Sequence, residues 1–244
     1  MQVRKEVFPH IAVAVGVGAV IVIGGIFLSL GAAASLLIGG GVGLALSGYL
    51  LYFFRDPERT SPGDPTAVVA AADGRVAAIV PIPREAFAAF CERSGLGGVT
   101  SPAMERLRGG DVLRVSIFLS LFDVHVNRAP ITGIYEFLGY FPGRRFFTFK
   151  EKSSTENQRN AILIHNERTV CLLQQIVGPV ARRVVYWPDS DRPVGLKIGE
   201  RIGMMKFGSR LDMCFPAGDL DLNVREGDLV TAGETVIGRL RMGQ

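Results

Sequence analysis

Charge is missing from one end of this 244-residue chain: no Lys, Arg, Asp or Glu occurs between Val7 and Phe54. That excludes an ordinary surface helix there, which would carry a polar face. Cysteine is scarce too. Cys91, Cys171 and Cys214 are odd in number, unrelated in spacing and without a Cys-x-x-Cys pair, which argues against a disulfide framework or a structural zinc site. Histidine is limited to His10, His125 and His165, with no His-Glu-x-x-His, so no metal is expected. The formal net charge is only +4 and no basic-aromatic interleaving occurs, so a nucleic-acid partner is not expected either. A mild positive balance suits an anionic membrane surface.

The charge-free stretch holds enough apolar chain for two bilayer crossings. One crossing needs about 20 residues, and a single helix over the whole stretch would be roughly 72 Å long. The sequence therefore predicts a transmembrane α-hairpin within residues 1–54, with helices over 9–29 and 33–54 and a turn near 29–32 at Ser29-Leu30-Gly31. The Gly39-Gly40-Gly41 run and the many alanines would let the helices approach closely. A cleaved signal peptide has an apolar core of only about 7–15 residues. This run instead leads into Tyr52-Phe53-Phe54-Arg55, an interfacial anchor. Arg4 and Lys5 flank one end and Arg55 and Arg59 the other. The positive-inside rule then places both flanks, and the rest of the chain, on the cytoplasmic side of the cell (inner) membrane.

Residues 55–66, rich in proline, read as a linker. The remainder, 67–244, is dominated by short β-type runs bounded by Gly, Pro or Asp, including 112–119, 161–165 and 170–177. One helix is predicted over Arg84–Arg93, and the polar stretch 150–160 reads as a solvated loop. Near the C-terminus, Lys197-Ile-Gly-Glu-Arg-Ile-Gly203 echoes Ala232-Gly-Glu-Thr-Val-Ile-Gly238. With Val224-Arg-Glu-Gly-Asp-Leu-Val230 before it, the second copy resembles the hammerhead turns of biotinyl and lipoyl domains. The resemblance implies a mainly β, barrel-sandwich-hybrid-like domain with few helices. Such folds host many activities.

Three segments carry residues suited to chemistry. Asp73 sits at an Asp-Gly turn entering a strand, where a plain turn role is common. In Asp123-Val-His125-Val-Asn127-Arg128-Ala-Pro130, alternate residues would share a face if the segment is extended. The third is Gly203-Met-Met-Lys-Phe-Gly208-Ser209-Arg210. A serine after a glycine in a strained turn can attack the glycine carbonyl, provided a base takes its proton. His125 is the side chain of the right type, since histidine titrates near neutral pH.

Taken in this order, behind an apolar N-terminus, the segments resemble the short, membrane-associated proenzyme form of phosphatidylserine decarboxylase. DVHVNRAP followed by TG, and GMMKFGSR followed by LD, carry the likeness. The resemblance implies self-cleavage between Gly208 and Ser209 into a β chain, 1–208, and an α chain, 209–244. It also implies that Ser209 becomes a covalent pyruvoyl group, which decarboxylates phosphatidylserine to phosphatidylethanolamine through a Schiff base. Ser209, His125 and Asp73 would be catalytic; Arg128, Arg144 and Asn127 are candidates for substrate binding. Longer family members carry a second histidine where this chain has Arg128, a poor base because it stays protonated. Either His125 serves both steps, or Asp73 acts with Arg128 in another role. The expected partners are the phospholipid and the membrane, with α and β chains remaining associated and a homodimer allowed. Three rival readings are an archaetidylserine decarboxylase, a membrane-tethered biotinyl- or lipoyl-like carrier modified at Lys206, and a structural membrane protein in which Ser209 is inert.

Overall fold

The computed structural model describes residues 2–144, 146, 148, 153–178, 184–206 and 208–241. The chain divides into two compact units, Met1–Glu58 and Arg59–Gln244.

The first unit is an antiparallel helical hairpin, α1 (Phe8–Phe27) and α2 (Ala32–Phe53). Both helices are long and apolar enough to cross a membrane. The turn lies where the sequence places it, with Ser29 at φ 60° and Gly31 at φ 81°. Small residues set the helix spacing. A Cβ on Gly18 would stand 2.7 Å from the Gly39 carbonyl oxygen, and one on Gly25 would stand 2.5 Å from Ser35 Oγ. Of the triple glycine only Gly39 lies at this seam, because Gly40 and Gly41 would meet nothing within 4 Å. Helical periodicity turns three consecutive residues to three different directions. The open end is tied by β1 (Gln2–Val3) pairing with β2 (Arg55–Asp56), and Arg4 Nη1 lies 3.4 Å from the buried carboxylate of Asp56.

The second unit is mainly β, and all its strand pairings are antiparallel. Its strands in chain order are β3 (Ala67–Val69), β4 (Gly74–Ile82), β5 (Val112–Leu119), β6 (Val126–Arg128), β7 (Gly133–Phe141) and β8 (Arg159–His165). There follow β9 (Val170–Val177), β10 (Val185–Tyr186), β11 (Val194–Leu196), β12 (Arg201–Met204) and β13 (Ser209–Pro216). The last three are β14 (Leu220–Leu222), β15 (Leu229–Val230) and β16 (Val236–Leu240). The helices are α3 (Arg84–Arg93), α4 (Pro102–Arg108) and the single turn α5 (Ser153–Glu156). The large sheet has the order β11-β7-β8-β9-β13-β5-β4-β15, beside two small sheets, β10-β12-β6 and β14-β16-β3; none closes into a barrel.

The alternation of side chains along β13 shows how the large sheet is buried on both faces. Leu211, Met213 and Phe215 join one core with Leu119, Val177 and Ile202 of β12. Cys214 joins the other, with Phe87 and Phe90 of α3, and Met104 and Leu107 of α4. Each such apolar side chain contributes about 1.5–3 kcal/mol. The predicted helix over Arg84–Arg93 therefore forms with its apolar stripe inward. The stretch 150–160 differs from expectation. Ser154, Asn157, Gln158, Arg159 and Asn160 are all buried. Protein groups replace water around many of these side chains: the Arg159 Nη atoms donate to the carbonyls of Ser94, Thr155 and Asn157. Burial lowers the Arg159 pKa to about 10. Polarity alone suggested solvation, but dense hydrogen bonding permits burial.

The duplicated sequence is a duplicated structure. Gly199 and Gly233 occupy equivalent turns with φ 80° and 77°. Gly199 N–H donates to Ala129 O and Ala129 N–H to Glu200 O; Gly233 N–H donates to Ala70 O and Ala70 N–H to Thr235 O. Ala129 follows β6 and Ala70 follows β3, so the two small sheets are copies of one design.

Candidate active site

Two neighbouring strands leave the large sheet together. β5 ends at Leu119 and reaches β6 through residues 120–125; β12 reaches β13 through 205–208. At one end of this crossing Ser209 pairs with Leu119, and at the other the Met205 N–H donates to the His125 carbonyl at 3.1 Å. Between those ties one strand has residues 120–124 and the other only 206–208, so their ladders cannot match. The Gly208–Ser209 bond lies in this interrupted stretch, while Phe207 is outside the described residues.

Ser209 is fully buried in a row with Leu119 on one side and Val177 on the other. Its parity along β13 puts its side chain on the face of Leu211 and Met213. Its hydroxyl has no hydrogen-bond partner among the described residues. Such a buried polar group costs about 1–3 kcal/mol. Gly208 has φ 70°, a backbone region that disfavours side chains. A Cβ on Gly178, just beyond β9, would stand 2.9 Å from the Gly208 carbonyl oxygen. The carbonyl of the predicted scissile bond is thus packed where only glycine leaves room.

His125 is fully buried. Its Nδ1 lies 2.9 Å from the Asp123 carbonyl oxygen. A carbonyl only accepts, so Nδ1 carries a proton in this contact. A neutral ring held in this way would leave Nε2 as its proton acceptor.

Asp73 stands at the same end of the sheet, just before the row Gly74–Leu119–Ser209, with β5 between it and Ser209. Two strand spacings are roughly 10 Å. Its carboxylate takes a paired contact from Arg59 Nη1 and Nη2 at 2.5 and 2.7 Å, and the Ala232 N–H at 2.8 Å. These contacts fasten residues 59–61 and the Gly233 turn to the sheet, helped by Ser61 Oγ donating to Gly233 O.

Arg128 is buried, donates to Gly199 O at 2.9 Å, and packs its chain where a Cβ on Gly233 would fall, 2.8 Å from Arg128 Cδ. It braces the two duplicated turns. Asn127 accepts from Gln175 Nε2 at 2.8 Å, and Gln175 accepts from Asn160 at 3.2 Å, a buried amide chain joining β6 to β9 and β8. Arg144 is exposed, lies over the Phe146 ring and is 3.8 Å from Glu156. Its neighbour Asn157 donates to Val177 O, the residue that pairs with Ser209. The structure therefore brings Ser209, Gly208 and His125 to one crossing and Asp73 to the adjoining turn. Arg128 and Asn127 are within the framework.

Sequence reasoning missed Gly178, signalled only by the Gly178-Pro179 pair, and the buried group beneath Ser209. There Asp212 receives Ser154 Oγ at 2.6 Å and lies 3.0 Å from Arg210 Nε. A cavity of about 720 Å³, lined by Val80, Ile82, Phe90, Arg93 and Arg114, opens on the α3 face of the sheet. Arg114 pairs with Cys214, five residues along β13, roughly 17 Å from Ser209. The cavity also reaches Ser154, which bonds Asp212, but it lies on the face of the sheet opposite the Ser209 side chain. Lys206 lies in the crossing and not at the tip of either glycine turn, which leaves the carrier reading without its lysine position. No cluster of metal-ligating side chains occurs among the described residues.

Comparison with known proteins agrees with this geometry. The phosphatidylserine decarboxylase family pattern matches residues 46–238. A protein of Azorhizobium caulinodans named phosphatidylserine decarboxylase proenzyme is 39% identical over 237 residues, covering 97% of this chain and 88% of that protein. With the motifs around His125 and Ser209 set in one crossing, and this likeness along nearly the whole length, the chain belongs to the phosphatidylserine decarboxylase family and is a decarboxylase.

Proposed function

We propose that this chain matures by cutting itself between Gly208 and Ser209, and that the pyruvoyl group so formed decarboxylates phosphatidylserine to phosphatidylethanolamine. The observation that carries the reading is the buried Ser209 hydroxyl, without a hydrogen-bond partner among the described residues, beside a glycine with φ 70°. A buried polar group left unmatched in a native fold calls for an explanation, and reactivity is one.

In the first step His125 Nε2 takes the Ser209 proton. The oxygen attacks the Gly208 carbonyl carbon, and the peptide C–N bond breaks as the ester C–O bond forms. Loss of the Cα proton of Ser209 then expels the Gly208 carboxylate, leaving a dehydroalanine with the new N-terminal amine. Tautomerisation and addition of one water release ammonia and leave the pyruvoyl ketone. This assigns both proton-transfer roles to His125, the first of the two alternatives open from the sequence. Asp73 serves by holding Arg59 and the turn at Ala232 in place.

The pyruvoyl group supplies an electron sink for the bond to CO₂ once the substrate amine has joined it. Two observations support this reading: Leu119 and Val177 flank Ser209 in the sheet as a nonpolar wall, and His125, a proton carrier, is tied to the same crossing by the Met205 N–H. During turnover His125 orients the carboxylate and returns a proton to the product. Arg144 is the exposed cation available to the lipid phosphate. The α chain stays with the β chain through β13. The basic flanks Arg4, Lys5, Arg55 and Arg59 favour a hairpin in the cell (inner) membrane with the catalytic unit on the cytoplasmic side.

The test is an intact-mass spectrum of the purified protein beside Ser209→Ala. The native protein should give two chains, the smaller starting with a pyruvoyl group at position 209, and the variant one inactive chain. A single uncut native chain with decarboxylase activity would refute the proposal.

A further inference from the structure

The crossing that holds His125 also carries an exposed apolar tip. Residues 120–123 form a tight turn: Ser120 N–H donates to Asp123 Oδ2 at 2.7 Å, Phe122 N–H to Ser120 Oγ at 3.3 Å, and Asp123 N–H to Ser120 O at 3.2 Å. The turn holds Leu121 45% and Phe122 68% exposed. Single exposed apolar residues are ordinary. Two in succession at the tip of a braced turn, two residues from the partner of Ser209, call for an explanation.

Their surroundings indicate one. Tyr140 is 51% exposed and lies in the strand row that runs through Asn160 and Gln175 to Leu211, so it sits at the Ser209 end of the sheet. Its hydroxyl donates to Gln158 at 3.1 Å. The Arg144 side chain, 72% exposed, stands at the same end through its bridge to Asn157. The tyrosine is four strands from β5 in the sheet order, roughly 19 Å across. This end of the sheet thus presents an apolar tip with a tyrosine and an arginine spread beside it, the composition of a bilayer interface, where tyrosine sits at headgroup level and arginine meets lipid phosphate.

We propose that the Ser209 end of the large sheet docks on an anionic lipid bilayer, with Leu121 and Phe122 inserted among the lipids beside the reaction site. This deepens the functional reading above and rests on it for the purpose of the contact: a lipid substrate then needs only to rise by its headgroup to reach residue 209. Burying two such side chains contributes enough apolar area to bias the docking without anchoring the protein alone.

The first test does not use activity. Cys91, Cys171 and Cys214 are buried, and burial raises each thiol pKa, so they resist labelling. Phe122→Cys in the full chain carries an environment-sensitive fluorophore, and Arg192→Cys, at a side chain 79% exposed in the turn at 189–192, is the control. In phosphatidylcholine–phosphatidylserine vesicles, label at 122 should blue-shift and be quenched several-fold more by spin-labelled lipid than label at 192. Equal, water-like behaviour at both positions overturns the proposal. So does a blue shift at 122 that grows with protein concentration in detergent and not with lipid, since that marks a second copy of the chain. In the second test, Leu121→Ser with Phe122→Ser should raise KM about tenfold for vesicle phosphatidylserine, leaving self-cleavage and kcat/KM for a soluble short-chain phosphatidylserine unchanged. Equal loss on both substrates overturns the proposal. Absence of decarboxylation in the unaltered protein would instead defeat the functional reading, and the label at 122 would still report docking.

Discussion

Gly199, Gly233 and Gly208 share a left-handed backbone, yet only the first two are in settled turns. At Gly199 and Gly233 the amide and its neighbours exchange hydrogen bonds with Ala129 and Ala70, and Arg128 and Ser61 close over them. At Gly208 the chain runs between two ladders of unequal length and is followed by a buried hydroxyl with no hydrogen-bond partner among the described residues. The lesson is that positive φ does not by itself make a bond reactive. The same conformation stabilises where its polar groups are matched and stores free energy where they are not.

The contrast can be broken at several points. Removing the proton acceptor should have the largest effect. His125→Ala should slow self-cleavage about 10²–10⁴-fold, seen as a persistent uncut band in a time course on a denaturing gel; a normal rate would assign the base elsewhere. Gly233→Ala attacks a settled turn. Its strained φ and the contact with Arg128 should lower stability by about 1–3 kcal/mol, measured by denaturant unfolding of the Ser209→Ala background. In the cleavable protein, the fraction that folds should cut at the ordinary rate. If cleavage fails while stability holds, the two kinds of turn are not separable.

Gly178→Ala presses on the Gly208 carbonyl without touching either settled turn. Self-cleavage should slow about tenfold, the equivalent of roughly 1.4 kcal/mol. Decarboxylation per cleaved site should be unaffected, because the Gly208 carboxylate has left by then. A matching fall in both would mean that Gly178 serves packing in general.

How much of this was legible beforehand depended on whether the signal was local. The hairpin, the α3 helix and most long strands follow from periodicity, and the duplicated glycines announced their turns. Ser209 and His125 stood out as candidates because their residue types and spacing suit the proposed chemistry, and the structure sets both at one crossing. Gly178 did not stand out, since what matters is which carbonyl lies against it, and that carbonyl belongs to a strand far along the chain. The structural surroundings of Arg128 were hidden for a similar reason. That two turns more than 30 residues apart in sequence fold around this arginine is a property no local window holds. The stretch 150–160 misled because burial of polar side chains depends on partners such as Ser94 and Asp212, which no window of local sequence contains.

β13 is hydrogen-bonded along both edges, to β5 on one side and β9 on the other. Under the proposed cut before Ser209 it would become a separate polymer clamped in the middle of the sheet. Maturation would therefore be a one-way ratchet: the nick leaves the folded body mechanically intact but erases the instructions for rebuilding it. Unfolded mature enzyme would have to reassemble by collision of two molecules, so its recovery should depend on concentration, whereas the uncut precursor refolds as a single thread.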